Sequence, residues 1–116
     1  MNIQIYFLKR NFDVQKAERF FKERRIPFQP VDMKKNPPGL KELRLFAQQA
    51  GGAKALLNQE DIKVRSHPAM YTPDEESILS YIAEDPGLMI SPVVRNGRRV
   101  TIGADEEAWK SWIPDA

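Results

Sequence analysis

The stretch Asp85-Pro86-Gly87-Leu88-Met89-Ile90-Ser91-Pro92-Val93-Val94-Arg95-Asn96-Gly97-Arg98-Arg99-Val100-Thr101-Ile102 decides the fold. Asp85-Pro86-Gly87 stops whatever precedes it, because proline cannot continue a helix and glycine frees the backbone. Two short apolar segments then flank Asn96-Gly97. That dipeptide between alternating segments is the sequence of a tight β-hairpin, and a type I′ turn is expected over Asn96-Gly97. The chain therefore carries an antiparallel strand pair near its end, at Val93 to Ile102. Gly103 breaks the second strand. Asp105 caps a last helix in which Ala108, Trp109 and Trp112 face the core, and Pro114 stops it.

The opening of the chain has a different pattern. Asn2 to Leu8 reads as a strand whose two alternating sets, Ile3-Ile5-Phe7 and Gln4-Tyr6-Leu8, are both partly apolar. A strand with that pattern is covered on both faces, as a central strand is. Asp13 to Arg24 places Val14, Ala17, Phe20 and Phe21 at helical spacing, with Asn11 or Asp13 as the cap. Ile26 to Val31 is a second short strand, irregular at Pro27 and Pro30. Strand, helix, strand in that order makes two parallel strands with a right-handed crossover.

Between these halves lies a helical stretch, about residues 38–85. Lys35-Asn36-Pro37-Pro38-Gly39 launches a helix that buries Leu40, Leu43, Phe46, Ala47 and Ala50 and ends at Gly51-Gly52. A short helical turn is expected over Ala53 to Leu57. Gln59 to Tyr71 lacks a period and reads as mostly loop. Thr72-Pro73-Asp74-Glu75 reads as a capping box with proline at the first helical position, opening a helix to about Glu84 that buries Ile78, Leu79 and Ile82. The sum is one α/β domain over residues 1–116. It is a mixed four-stranded sheet ordered β-α-β … β-β-α, with helices on its faces and a helical insertion.

Bulk composition narrows the function. The chain has 116 residues with 18 basic and 16 acidic side chains, an excess too small to argue for direct nucleic-acid binding. It has no cysteine, which excludes disulfides, thiolate nucleophiles and cysteine metal sites. Its one histidine, His67, leaves little room for a metal centre, and no metal or cofactor is expected. No apolar run approaches the ~20 residues of a membrane span, and the opening run is too short for a signal peptide. The cytoplasm is the expected location.

Several stretches together resemble one family. They are Ile5-Tyr6, Lys16-Ala17, Lys35-Asn36-Pro37-Pro38, Ala55-Leu56-Leu57-Asn58, Asp85 to Val94, and Gly103-Ala104-Asp105-Glu106. In this order they resemble the glutaredoxin-coupled arsenate reductases, whose relatives include the Spx-type transcription regulators. The resemblance implies a thioredoxin-like fold. It also implies a cysteine nucleophile after the first strand, stabilised by the N-terminus of the next helix. That position falls on Asn11 here, and the second cysteine of Cys-x-x-Cys members falls on Val14. The arginines that hold an oxyanion in active members correspond to Asn58, Ser91 and Gly103. Nucleophile and clamp are absent together.

The resemblance leaves one element of the site in place, Pro92, and implies a cis Ser91-Pro92 bond. A cis proline is a specified feature of a fold. Its backbone edge either still pairs with a peptide or only shapes the fold. The candidate binding residues are Arg10, Asn11, Asp13, Ser91, Pro92 and Arg95, with Arg98 and Arg99 adding charge at the hairpin tip as either a docking point for an acidic partner or solubilising decoration. The reading is a non-catalytic binding or regulatory protein with a protein partner. Two alternatives stand beside it: a reductase by descent that needs a cysteine-bearing partner, and an enzyme that uses the remodelled pocket without a thiol. The oligomeric state is not legible in the sequence.

Overall fold

A computed structural model describes residues 1–113. Pro114, expected to stop the last helix, lies outside the described residues, as do Asp115 and Ala116. The elements run β1 (Ile3–Phe7), α1 (Phe12–Glu23), β2 (Phe28–Asp32), α2 (Leu40–Ala50), α3 (Ile62–Arg65), α4 (Glu75–Glu84), β3 (Val93–Asn96), β4 (Arg99–Ile102) and α5 (Glu106–Trp112), with 3-10 turns at Ala53–Leu56, Pro68–Tyr71 and Pro86–Leu88. The sheet order is β2-β1-β3-β4. β1 pairs parallel with β2 and antiparallel with β3, which pairs antiparallel with β4. This is the mixed thioredoxin-like sheet expected from the order of elements.

β1 is central and covered on both faces because its side chains alternate between two apolar clusters. Ile3 and Ile5 join Ala17, Phe20 and Phe21 of α1, Val94, and Trp109 and Trp112 of α5. Tyr6 points the other way, into a cluster with Leu43 and Phe46 of α2, Ile78 and Ile82 of α4, and Val93. Val93 and Val94, adjacent in β3, serve opposite clusters, as the period of two requires. The Trp109 indole is wholly buried and its Nε1–H donates to Thr101 Oγ1 at 2.8 Å, so its one polar atom is satisfied.

Several local expectations are corrected. The hairpin loop is Gly97-Arg98, because Asn96 pairs with Arg99 as part of the ladder. Gly97 has φ +62° and Arg98 does not share the positive sign, so the pattern is that of a type II′ turn and not I′. β2 starts at Phe28 and not at Ile26. Arg25 adopts φ +56° and the Ile26 N–H donates to the Phe21 carbonyl, so these residues close α1. Pro30 is tolerated in β2 because β2 is an edge. Residues 59–71 are not mostly loop: Asp61 caps α3 by accepting the Lys63 N–H, and His67 Nδ1 accepts the Ala69 N–H at the head of the following 3-10 turn. The cap of α4 is Asp74, which accepts from the Ser77 N–H and hydroxyl, while Thr72 donates its hydroxyl to the Pro68 carbonyl. Leu40 is more exposed than its helical spacing implied. Gly51 ends α2 at φ +89°, as expected.

Candidate functional site

The loop from β1 to α1 meets the loop before β3 at the carboxyl end of β1. Asn11 is the N-cap of α1, and its Oδ1 accepts the Val14 N–H at 2.8 Å. Asn at this position is explained by the free N–H groups of a first helical turn. The same amide donates through Nδ2 to the Ser91 carbonyl at 3.1 Å. Ser91 answers across the junction, its Oγ accepting the Leu8 N–H at 3.1 Å. The Ser91-Pro92 bond is cis, and the Pro92 carbonyl accepts the Gly103 N–H at 2.7 Å. Two side chains, Asn11 and Ser91, thus pin three segments together.

A cleft of about 520 Å³ opens beside this junction. Asn11, Asp13 and Ser91 line it together with Asn58, Asp61 and Lys63 among others. Its charges balance: Lys9, Lys34 and Lys63 against Asp13, Glu60 and Asp61. Asn58 Oδ1 accepts the Glu60 N–H at 3.3 Å. The lining therefore has no excess of cations that would hold an oxyanion, and the Val14 N–H in the first turn of α1 already has its acceptor. Val14 is buried in the α1 interior and does not reach the cleft.

Two of the sequence-predicted residues stand elsewhere. Arg10 is turned to Glu18, to which Nη1 donates at 2.7 and 2.6 Å, and its guanidinium lies over the Phe7 ring at 5.3 Å. Arg95 belongs to a different part of the molecule. Its Nε donates to the Gly97 carbonyl at 2.8 Å, and Nη1 lies 3.5 Å from both the Tyr6 hydroxyl and Glu42 Oε2. The Tyr6 hydroxyl donates to Glu42 Oε2 at 2.8 Å, while Glu42 Oε1 accepts the Gly39 N–H at the head of α2. Burial, reinforced by the Glu42 carboxylate, pushes the Tyr6 phenol up to about 12, against a smaller pull downward by Arg95.

The Tyr6–Glu42–Arg95 cluster was not foreseen, because its members lie 36 and 89 residues from Tyr6. The contribution of Asp61 and Lys63 to the cleft was missed with α3. A short Asp-capped turn, Asp61-Ile62-Lys63-Val64, was the only available signal. His67 caps a turn and stacks edge-on against Tyr81, with ring centroids 5.2 Å apart. Among the described residues no helix is long and apolar enough to cross a membrane, and no cluster of three or more metal-ligating side chains forms.

The ArsC family model matches residues 6–112. The uncharacterized protein YusI of Bacillus subtilis (strain 168) is 23% identical over 114 residues, covering 95% of this chain and 97% of that protein. An arsenate reductase from Vibrio cholerae superposes with a TM-score of 0.83 at 17% identity, over 97% of this chain and 98% of its own. An ArsC family related protein from Bacteroides fragilis gives 0.81 at 22% identity, with the same coverage. At these identities the structural likeness shows a shared fold.

Proposed function

The chain belongs to the ArsC family, and we propose that within it this chain works by binding a protein partner and not by thiol chemistry. The observation that carries the reading is Asn11. It stands where the resemblance puts the nucleophile, and it is built into the fold: Oδ1 caps α1 and Nδ2 holds the Ser91 carbonyl. An amide cannot attack arsenate, and the chain has no cysteine to replace it. The rest of the site agrees with this. Asn58, Ser91 and Gly103 supply no guanidinium, and the cleft that contains Asn11, Asp13 and Ser91 balances its own charges. The Pro92 edge is half engaged internally, since the Ser91 carbonyl already accepts from Asn11.

The test joins two readouts on the full chain. Arsenate turnover is measured with reduced glutathione and a glutaredoxin, for the wild type and for Asn11→Cys. The wild type is expected to give no rate above the protein-free background. The variant is expected to gain a thiolate-forming cysteine at the head of α1, seen as alkylation by iodoacetamide that persists below the usual thiol range, yet still no arsenate turnover. In parallel, tagged wild type is expected to retain a stoichiometric protein from lysate. Turnover by the wild type overturns the reading, and so does failure to retain any partner.

A further inference from the structure

A second cavity, about 500 Å³, lies between α2 and the β3–β4 hairpin. It is lined by Lys41, Glu42, Arg44 and Leu45 of α2 and by Arg95 and Arg98 of the hairpin, among others. Four cations face one carboxylate. With Glu76, the partner of Arg44, counted beside Glu42, the local excess is two, as large as the net +2 of the entire chain. Arg44 is answered by Glu76, with Nε and Nη2 donating to its carboxylate at 2.8 and 3.3 Å. Lys41 and Arg98 have no ion-pair partner among the described residues. Glu42 is already engaged by the Tyr6 hydroxyl and by Arg95.

We propose that this groove docks an acidic segment of a partner protein, with Lys41, Arg95 and Arg98 meeting its carboxylates and Leu45 meeting an apolar side chain between them. The proposal rests on the binding reading above and supplies its face and its partner chemistry. Three features select a polypeptide over a small anion. The cations come from two elements, Lys41 and Arg44 from α2 and Arg95 and Arg98 from the hairpin. Lys41, Arg44, Leu45 and Gln48 recur at i, i+3, i+4 and i+7, the spacing of a continuous helical stripe. Partly buried Leu45 interrupts the charge with apolar surface. Arg95 is held in place for such a contact: Gly97 fixes Nε, Tyr6 and Glu42 sit beside Nη1, and Nη2 has no partner among the described residues. A guanidinium already immobilised loses less entropy on meeting a carboxylate.

The experiment is fluorescence anisotropy with the full chain and a fluorescein-labelled peptide of alternating glutamate and leucine. The probe controls are the glutamine-leucine version of the same peptide, inorganic phosphate as competitor, and a labelled RNA oligonucleotide of equal charge. The expected result is saturable binding of the glutamate peptide that weakens as salt rises. The glutamine peptide and the RNA should bind at least about tenfold more weakly, a difference of about 1.4 kcal/mol. Lys41→Glu/Arg98→Glu, which alters only exposed side chains, should lose at least about tenfold with an unchanged thermal transition. Unchanged binding in that variant overturns the proposal. So does displacement by millimolar phosphate, tighter binding of the RNA, or absence of binding by the glutamate peptide. None of those outcomes touches the non-thiol reading, which falls only by the arsenate and capture measurements.

Discussion

The cleft at the head of α1 and the groove beside α2 are of similar volume, about 520 and 500 Å³, and opposite in character. In the cleft, the polar groups nearest the junction face inward to one another. Asn11 satisfies α1 and Ser91, Ser91 satisfies Leu8, and three lysines stand against three carboxylates. In the groove, hydrogen bonding is concentrated on one partly buried cluster, and Lys41 and Arg98 beside it stay without an ion-pair partner among the described residues. A junction can thus close on itself when its polar side chains cap a helix and hold a neighbouring carbonyl. Charge without internal partners elsewhere on the same scaffold becomes the more informative feature. This is how one fold separates from one chemistry.

The largest effect that would sharpen the contrast is expected at Tyr6. Tyr6→Phe removes a hydroxyl that donates to a carboxylate from a nearly buried ring, and should cost about 1.5 kcal/mol in urea unfolding at pH 7. Its pH signature is distinctive. The folded phenol titrates near 12, above the usual 10, so the folded state favours the neutral form. The wild-type advantage is therefore fully present below pH 10 and lost as pH rises from 10 through 12. The gap between wild type and Tyr6→Phe should narrow across that window and stay constant from pH 7 to 9. A constant gap through pH 12 would mean that the Tyr6 hydroxyl is not held by Glu42 in the folded state as described.

Asn11→Ala comes next, at about 1 kcal/mol by the same measurement, the ordinary value of a lost helix cap. The Ser91 carbonyl it releases is only partly buried and can take water instead. If the loss falls below a few tenths of a kcal/mol, Asn11 is not a structural replacement, and its amide is available for a ligand.

How much of this was legible beforehand follows the range of each interaction. Ile3, Ile5 and Tyr6 announced a strand covered on both faces, and Val93 to Ile102 announced the hairpin, because alternation is a local pattern. The turn was displaced by one residue because Asn96-Gly97 fits two turn types, and the β3–β4 pairing put Asn96 in the ladder. α3 is four residues long, too short for a helical period to register. Asp74 took the cap from Thr72 because two candidate caps flanked Pro73, and the packing of the preceding 3-10 turn claimed the threonine hydroxyl. The positions of Asn11 and Ser91, though not the hydrogen bond between them, could be singled out by resemblance. Arg95 could not. Its place beside Tyr6 and Glu42 depends on the strand register and on where α2 docks, neither of which is written in any local stretch.

The smallest effect tests which cations matter. Arg44 and Glu76 form a well-aligned pair, but both side chains are more than half exposed. Arg44→Ala should therefore leave the urea unfolding transition essentially where it is. Its effect on the glutamate-leucine peptide separates two accounts of the groove. If unanswered charges do the binding, Arg44 contributes little, because Glu76 already offsets it. The peptide should then weaken by no more than about threefold, roughly 0.6 kcal/mol. If Arg44→Ala instead loses as much as Lys41→Glu/Arg98→Glu, the groove acts through its summed potential, and the distinction between paired and unpaired cations fails. An intermediate salt dependence would not rescue it, since screening weakens both accounts alike. Only the ranking of the variants at one ionic strength decides between them.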